Sequence, residues 1–200
     1  MSAPTQSFLP VFLILLISLM ACQQPPPFIF VGDERPEAVP DISHRCVNYD
    51  LSTNTTDDVL TALAKRSDGA KFYAWVQRIK EIDANHYDYL VEEAQGAISL
   101  LLPQNAAVER YEKEHPDLFD DENQFLSLVK HHFLLIKINF NQFAGEGAEP
   151  GMNREPVQYK VTDQYCVRFE DMALLISADD VCDRSVIHLI DEVIVPTKGF

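Results

Sequence analysis

The hydrophobic residues between positions 56 and 80 recur at the three- to four-residue spacing of amphipathic helices. Thr56–Asp58 precede the first of them, and a hydroxyl or carboxylate at such a position can cap a helix and complement its dipole. The polar triplet Ser67–Gly69 divides the pattern, so we predict two consecutive helices. Trp75 lies on the apolar face of the second helix, which favours a place in the core over a surface for ligand stacking.

A short apolar run, Ala97–Leu102, ends at Pro103 and has the length and boundaries of a buried strand. Asn105 follows it closely, and its side chain can cap another helix. After an acidic, turn-like stretch at 112–121, the pattern predicts one more amphipathic helix. Its apolar face comprises Phe125, Leu128, Val129 and Phe133.

Strands are predicted for the rest of the chain. Ile136–Phe140 begins this region, and a loop rich in Gly and Pro, Ala144–Gly151, interrupts it. Alternating and β-branched runs then predict four strands: Val157–Val161, Cys166–Phe169, Ala173–Ile176 and Val186–Ile190. Helices followed mostly by strands are the order of an α+β domain, not of a doubly wound α/β fold.

The first 22 residues, Met1–Cys22, contain no Lys, Arg, Asp or Glu. Their apolar core, Val11–Cys22, is shorter than the roughly 20 residues that cross a bilayer, so we predict a signal peptide that is removed, with no stable membrane insertion afterwards. A second interpretation stays open, in which Leu19–Cys22 is a lipobox and Cys22 is retained and lipidated. We expect a Pro-rich extended arm at 23–55, one domain at 56–197 and a tail at 198–200.

The chain is acidic, with 16 basic against 31 acidic residues and a net charge of −15. A polyanion of this kind is disfavoured as a partner of nucleic acid or of anionic membrane surfaces. Cationic surfaces or Ca²⁺ are electrostatically easier partners, although solubility alone explains such a surface.

Three cysteines, Cys46, Cys166 and Cys182, follow the predicted leader. In an oxidising compartment at most one intramolecular disulfide can form among them, and the sequence leaves its pairing open. Asn54 begins the Asn-Thr-Thr sequon and is the candidate site of N-glycosylation.

Two segments in the middle of the chain resemble motifs of the fasciclin (FAS1) domain family. Leu100–Val108 carries an apolar strand that leads through a Pro-x-Asn turn into a helix. Leu128–Leu134 resembles the family's central helix, which ends in a Tyr-His pair before an apolar strand. His132 occupies the His position of that pair, and His131 replaces the usual Tyr.

The closing segment Val186–Pro196 is the most specific part of the resemblance. Its Val-Ile-His-Leu-Ile-Asp sequence followed by an apolar-Pro ending repeats the family's final strand almost residue for residue. The chain departs from the family at Arg184–Ser185, where an Asn-Gly turn is common.

The resemblance covers most of the chain after the leader, and it implies a wedge of helices packed on a β-sandwich. It also implies a secreted or cell-surface protein with an adhesion-type role. Structural roles follow for the residues in the matching motif positions, which are Pro103, Asn105, His132, His188, Asp191 and Pro196.

We predict no catalytic, cofactor-binding or metal site. His131 and His132 are neighbours on a helix and point about 100° apart, whereas paired helical ligands need i,i+4 spacing. His188 and Asp191 are three residues apart on a strand, so they lie on opposite faces. Weak Ca²⁺ association is the most that we expect of three carboxylate pairs without EF-hand spacing: Asp57–Asp58, Asp120–Asp121 and Asp179–Asp180.

These features predict a secreted or organelle-lumen glycoprotein that is not an enzyme. Its expected role is a binding or adhesion module for protein or glycan partners at a cell surface or wall. The alternative is a vacuolar or luminal housekeeping protein without an adhesive role.

Overall fold

The computed structural model describes residues 55–162 and 166–196, together with the backbone of Asn48–Tyr49. The predicted leader, Cys46 and Asn54 lie outside the described residues. The helices in this part of the chain are α1 (Val59–Ala64), α2 (Ala70–Ile82), α3 (Ala84–Ala94), α4 (Asn105–Glu114) and α5 (Glu122–His131). The strands are β1 (Asn48–Tyr49), β2 (Ser99–Pro103), β3 (Phe133–Leu134), β4 (Glu146–Pro150), β5 (Pro156–Val161), β6 (Val167–Phe169), β7 (Ala173–Cys182) and β8 (Ser185–Ile190).

The helical layer begins as predicted and then contains one helix more. Asp58 caps α1, because its Oδ1 accepts hydrogen bonds from the backbone N–H groups of Leu60 and Thr61, both at 3.0 Å. The two predicted helices are α1 and α2, and α3, which was not predicted, follows α2 directly. Asp83 caps α3, and that helix buries only Leu90 and Ala94, so its sequence carries little hydrophobic periodicity.

Two predictions in the region between α5 and β5 were wrong. Ile136–Phe140 is not a strand, since the Ser99 hydroxyl donates to the carbonyl of Ile136 (2.8 Å) and accepts from the N–H of Ile138 (2.9 Å) in place of a backbone ladder. The predicted loop Ala144–Gly151 contains strand β4, which pairs with β5 although its side chains are exposed or half-buried throughout. Without a buried apolar face, β4 has no hydrophobic alternation for the sequence to reveal.

The strands form one mixed sheet in the order β3-β2-β8-β7-β6-β5-β4, with β1 added in parallel to β7. Strands β2 and β8 are parallel, whereas β8, β7, β6, β5 and β4 are joined by antiparallel pairs. The two ends of this order meet, because the N–H of Leu135 donates to the carbonyl of Pro150 and the N–H of Met152 donates to that of Phe133, each at 2.8 Å. The sheet therefore curls back on itself, which fits the predicted α+β class.

Two groups of buried side chains fill this architecture. The helix-side core packs helices against one face of the sheet, and its largest members are Phe72, Trp75, Phe125 and Phe133. The sheet-interior core lies on the other face and includes Leu101, Phe143, Phe169 and Leu175. Among the described helices, none is both long and apolar enough to cross a membrane.

Candidate functional site

The end of helix α5 brings two buried histidines to the centre of the molecule. Asp121 starts this helix by accepting hydrogen bonds from the N–H groups of Asn123 (3.0 Å) and Gln124 (3.1 Å). His131 is its last residue and His132 follows as the C-cap, and both side chains are fully buried.

His132 is held as a neutral ring between two backbone groups. Its Nδ1–H donates to the carbonyl of Leu128 (2.9 Å), and its Nε2 accepts from the N–H of Ile194 (3.2 Å). Burial lowers the pKa of His132 to about 3, against which the hydrogen bond to Leu128 acts only in part. The ring packs against Phe72 with 5.0 Å between centroids. At neutral pH this histidine therefore links α5 to the closing segment and has no proton to give at its Nε2.

His188 plays a matching part with the opposite tautomer. Its Nε2–H donates to the carbonyl of Ile138 (2.8 Å), and its Nδ1 accepts from the N–H of Asp179 (3.3 Å). Burial lowers the pKa of His188, so the ring is neutral. Asp191 does not contact it and instead accepts a hydrogen bond from the N–H of Leu174 (2.6 Å). The structure thus does not assemble an acid/base pair from His188 and Asp191.

His131 supports the turn between β4 and β5. Its Nδ1 lies 3.3 Å from Oδ1 of Asn153, and its Nε2 lies 3.5 Å from a carboxylate oxygen of Glu170. The same Asn153 oxygen accepts from the N–H of Glu155 (3.2 Å), and the Asn153 amide nitrogen donates to the hydroxyl of Ser127 (3.3 Å). The β4–β5 turn is therefore fastened to α5 by side chains.

A groove opens where this turn meets helices α3 and α5. Its volume is about 400 Å³. We call it the α3–α5 groove, and its lining includes Tyr89, Asn123, Ser127, Lys130, Met152 and Arg154. No carboxylate lines it, although acidic residues outnumber basic ones in the whole chain.

The predicted motif residues near the start of α4 lie at a junction of elements. Pro103 ends β2, and Asn105 is the first residue of α4. Asn105 does not cap α4, contrary to the prediction; its Oδ1 accepts from the N–H of Lys71 (2.9 Å) in the first turn of α2, and its amide nitrogen donates to the carbonyl of Ser67 (2.7 Å). Pro196, at the other end of the motif set, is buried.

The cysteines separate into two kinds. Cys166 is disulfide-bonded, whereas Cys182 is a free and buried thiol, so these two do not pair with each other. Burial raises the pKa of Cys182 to about 11, which makes it a poor nucleophile at neutral pH.

The predicted acidic pairs have structural partners. Asp57 forms an ion pair with Lys65 (2.6 Å), Asp121 caps α5, and Asp180 forms an ion pair with Arg66. Within the described part of the chain, no group of three or more His, Cys, Asp or Glu side chains could hold a metal ion.

The sequence interpretation did not single out the α3–α5 groove. Its cations, Lys130 and Arg154, are 24 positions apart, and only the unpredicted strand β4 and helix α3 bring their surroundings together. The one available signal was local: Lys130 precedes the histidine pair, and Asn153–Arg154 follow a Gly-Met turn.

A family profile and a solved structure indicate the same type of domain for this chain. The profile of the fasciclin domain family matches residues 70–196. A solved structure of a FAS1 domain pair from the insect cell adhesion molecule fasciclin I aligns with a TM-score of 0.56 at 12% identity, over 72% of this chain. The chain spans about half of that structure, 52% of its length, and the likeness concerns the fold. Among curated proteins, none matches this chain.

Proposed function

The chain belongs to the fasciclin domain family, and we propose that it is a secreted or organelle-lumen module that binds protein or glycan partners at a cell surface or wall. It acts in this proposal without catalysis and without a cofactor. The histidines that invite a catalytic interpretation support this, because His132 and His188 have both ring nitrogens engaged with backbone groups.

The observation that carries the proposed location is the disulfide at Cys166. Disulfides persist in oxidising compartments and are rare in the cytosol. The predicted leader and the proposed glycan on Asn54 agree with entry into the secretory pathway.

We infer that Cys46 is the partner of Cys166. Strand β8 occupies one edge of β7, so β1 and β6 share the other edge. Asn48 of β1 is opposite Ser177 in a parallel register, and Arg168 of β6 is opposite Leu174 in an antiparallel one. The first residues of β1 and β6 therefore approach the same segment of β7. Cys46 precedes β1 by two residues, and Cys166 precedes β6 by one.

The pairing has a direct test with a matched control. Non-reducing peptide mapping of the full-length protein is expected to yield a Cys46–Cys166 cross-link. Cys166→Ser should release one further thiol to a maleimide under denaturing conditions, while Cys182→Ser should remove the free thiol at position 182 and leave the cross-link intact. A cross-link from Cys22 to Cys166 would contradict the assignment.

The binding role is tested in the native cell. We expect tagged full-length protein, cross-linked in place, to retain the same surface or wall components in repeated purifications, and a variant without residues 1–22 to retain none. Retention of no component would count against the proposal. Localisation confined to an internal lumen would favour the housekeeping alternative.

A further inference from the structure

The α3–α5 groove combines three kinds of side chain on one concave surface. Met152, which is buried, and Tyr89, which is exposed, both line it. Asn123 and Ser127 supply an amide and a hydroxyl from α5. A cavity of about 400 Å³ in which several polar groups converge has the size of a small-ligand site.

Two cations face this groove without a carboxylate partner. Neither Lys130 nor Arg154 forms an ion pair with another described residue, whereas His86, also in the lining, lies 3.1 Å from Asp83. Burial lowers the pKa of Lys130, the nearby charge of Arg154 adds to this, and Asp83 opposes it. Both cations line the same groove, so an anion bound between them would offset the repulsion between their charges.

The net charge of the chain does not prevent an anion from binding here. At physiological ionic strength, charges more than about 8 Å apart are largely screened. The local charges decide the sign, and the acidic groups near this groove, Asp83, Glu92 and Glu93, lie outside its lining.

We propose that the α3–α5 groove binds an acidic glycan, with the carboxylate of a uronic-acid residue held between Lys130 and Arg154. The inference rests on the proposed binding function and names the class of partner. Arg matches a planar carboxylate with two parallel hydrogen bonds, and Lys adds a point charge.

Sugar hydroxyls fit the remaining polar groups. Ser127 accepts a hydrogen bond from Asn153, so its own proton is free to donate. The side-chain amide of Asn123 has no hydrogen-bond partner among the described residues and can both donate and accept. Because Asn153 and His131 already fasten the β4–β5 turn, the groove is preorganised and binding needs little further ordering.

A second cavity provides the matched control. It is also lined by a lysine and an arginine, Lys160 and Arg168, but Glu146 and Asp171 line it as well, and Lys160 forms an ion pair with Glu146. Removing the same two charges from this site should leave glycan binding unchanged.

The experiment titrates full-length protein with α-1,4-linked trigalacturonate by calorimetry, beside neutral galactotriose and a triglutamate peptide. The double variant Lys130→Gln and Arg154→Asn is compared with Lys160→Gln and Arg168→Gln. Arg154 has a φ of 70°, a conformation that Asn tolerates well, so the fold is expected to persist, and circular dichroism checks it.

We expect trigalacturonate affinity to fall by about tenfold or more in the groove variant, because the loss of one charge-assisted hydrogen bond is enough to lower an affinity by that factor. The control variant should bind like the unaltered protein, and added salt should weaken binding. No binding of trigalacturonate, equal binding by the groove variant, or equal affinity for galactotriose or triglutamate would overturn the inference. If cross-linked cell-surface components are retained while trigalacturonate fails to bind, the groove assignment alone is lost.

Discussion

The helix-side core and the sheet-interior core are packed differently but have one structural feature in common. In the first, Trp75 contacts Phe72 at 6.0 Å and Phe125 at 5.9 Å between ring centroids. In the second, Phe143 contacts Phe169 at 5.6 Å, and smaller aliphatic and alanine side chains fill much of the remaining space. Each core also meets one buried neutral histidine.

The two histidines serve segments that lack a regular ladder. His132 joins α5 to the irregular chain at Ile194, and His188 joins β8 to Ile138 and to the bulged part of β7 at Asp179. Since a neutral imidazole supplies one donor and one acceptor, it satisfies two buried backbone groups at once. In both cores, a buried neutral histidine takes the place of missing backbone pairing.

The largest expected effect tests whether the two cores unfold together. Strand β2 serves both, since Leu100 and Leu102 face the helices and Leu101 faces the sheet interior. Phe72→Ala and Phe169→Ala each remove a fully buried ring and should lower the free energy of unfolding by about 3–5 kcal/mol.

Urea unfolding measures this effect with two signals. Fluorescence of Trp75, the single tryptophan, reports the helix-side core, and far-UV circular dichroism reports the whole domain. We expect coincident midpoints within each variant, as in a two-state transition. If Phe169→Ala moves the dichroism midpoint and leaves the fluorescence midpoint in place, the cores are independent; Phe169→Leu is the milder control.

The next largest expected effect is a loss of stability at low pH, which comes from the buried histidines. The pKa of His132 is about 3 in the folded state against 6.5 in the unfolded chain, so the unfolded state binds more protons between these values. The corresponding stability is fully present above pH 6.5 and is lost as the pH falls toward 3. Between pH 7 and pH 4.5 we expect His132 to account for a loss of about 2–3 kcal/mol.

His132→Gln isolates this contribution. The variant should be less stable than the unaltered protein at pH 7, and urea unfolding should show the gap narrowing by about 2–3 kcal/mol at pH 4.5, because glutamine does not titrate. His188→Gln should narrow the gap in the same direction, since the pKa of His188 is lowered too. A gap that stays constant with pH would mean that the histidine is not held neutral.

Replacing each of two glycines by alanine tests how readily the two sides of the molecule accommodate an added methyl group. A Cβ at Gly69 would lie 2.7 Å from Cδ2 of Leu102, which is fully buried in the helix-side core. A Cβ at Gly147 would lie 2.5 Å from the ring of Tyr159, which is only partly buried.

We expect Gly69→Ala to cost about 1–3 kcal/mol, since a packed leucine has nowhere to move. Gly147→Ala should stay within about 1 kcal/mol of zero, because the tyrosine ring can swing outward and the alanine restricts the unfolded chain. Thermal unfolding of the two variants side by side measures the difference. Equal costs would show that the sheet edge is packed as rigidly as the helix side.

The sequence predicts the elements that bury many apolar side chains and misses those that bury few. The pattern around Phe72 and Trp75 predicts α2 because its apolar face is wide, and Val186–Ile190 predicts β8 because it is buried on both sides. Helix α3 and strand β4 are missed since they bury few side chains and are held by Asp83 and by pairing with β5. The α3–α5 groove depends on those two elements, so its cations could not be placed together from the sequence.

The smallest effect concerns Asn105, whose side chain fastens the start of α4 to the start of α2. Asn105→Ala removes one hydrogen bond to the N–H of Lys71 and one from the amide to the carbonyl of Ser67. Because this site is exposed, water replaces part of the loss, and we expect a cost of about 1 kcal/mol in thermal unfolding. Gln104→Ala is the matched control, since Gln104 makes no side-chain capping bond, and its melting temperature should not change. If the two variants have the same melting temperature, the Asn105 side chain contributes nothing measurable to stability. Apolar packing would then hold the junction of α2 and α4.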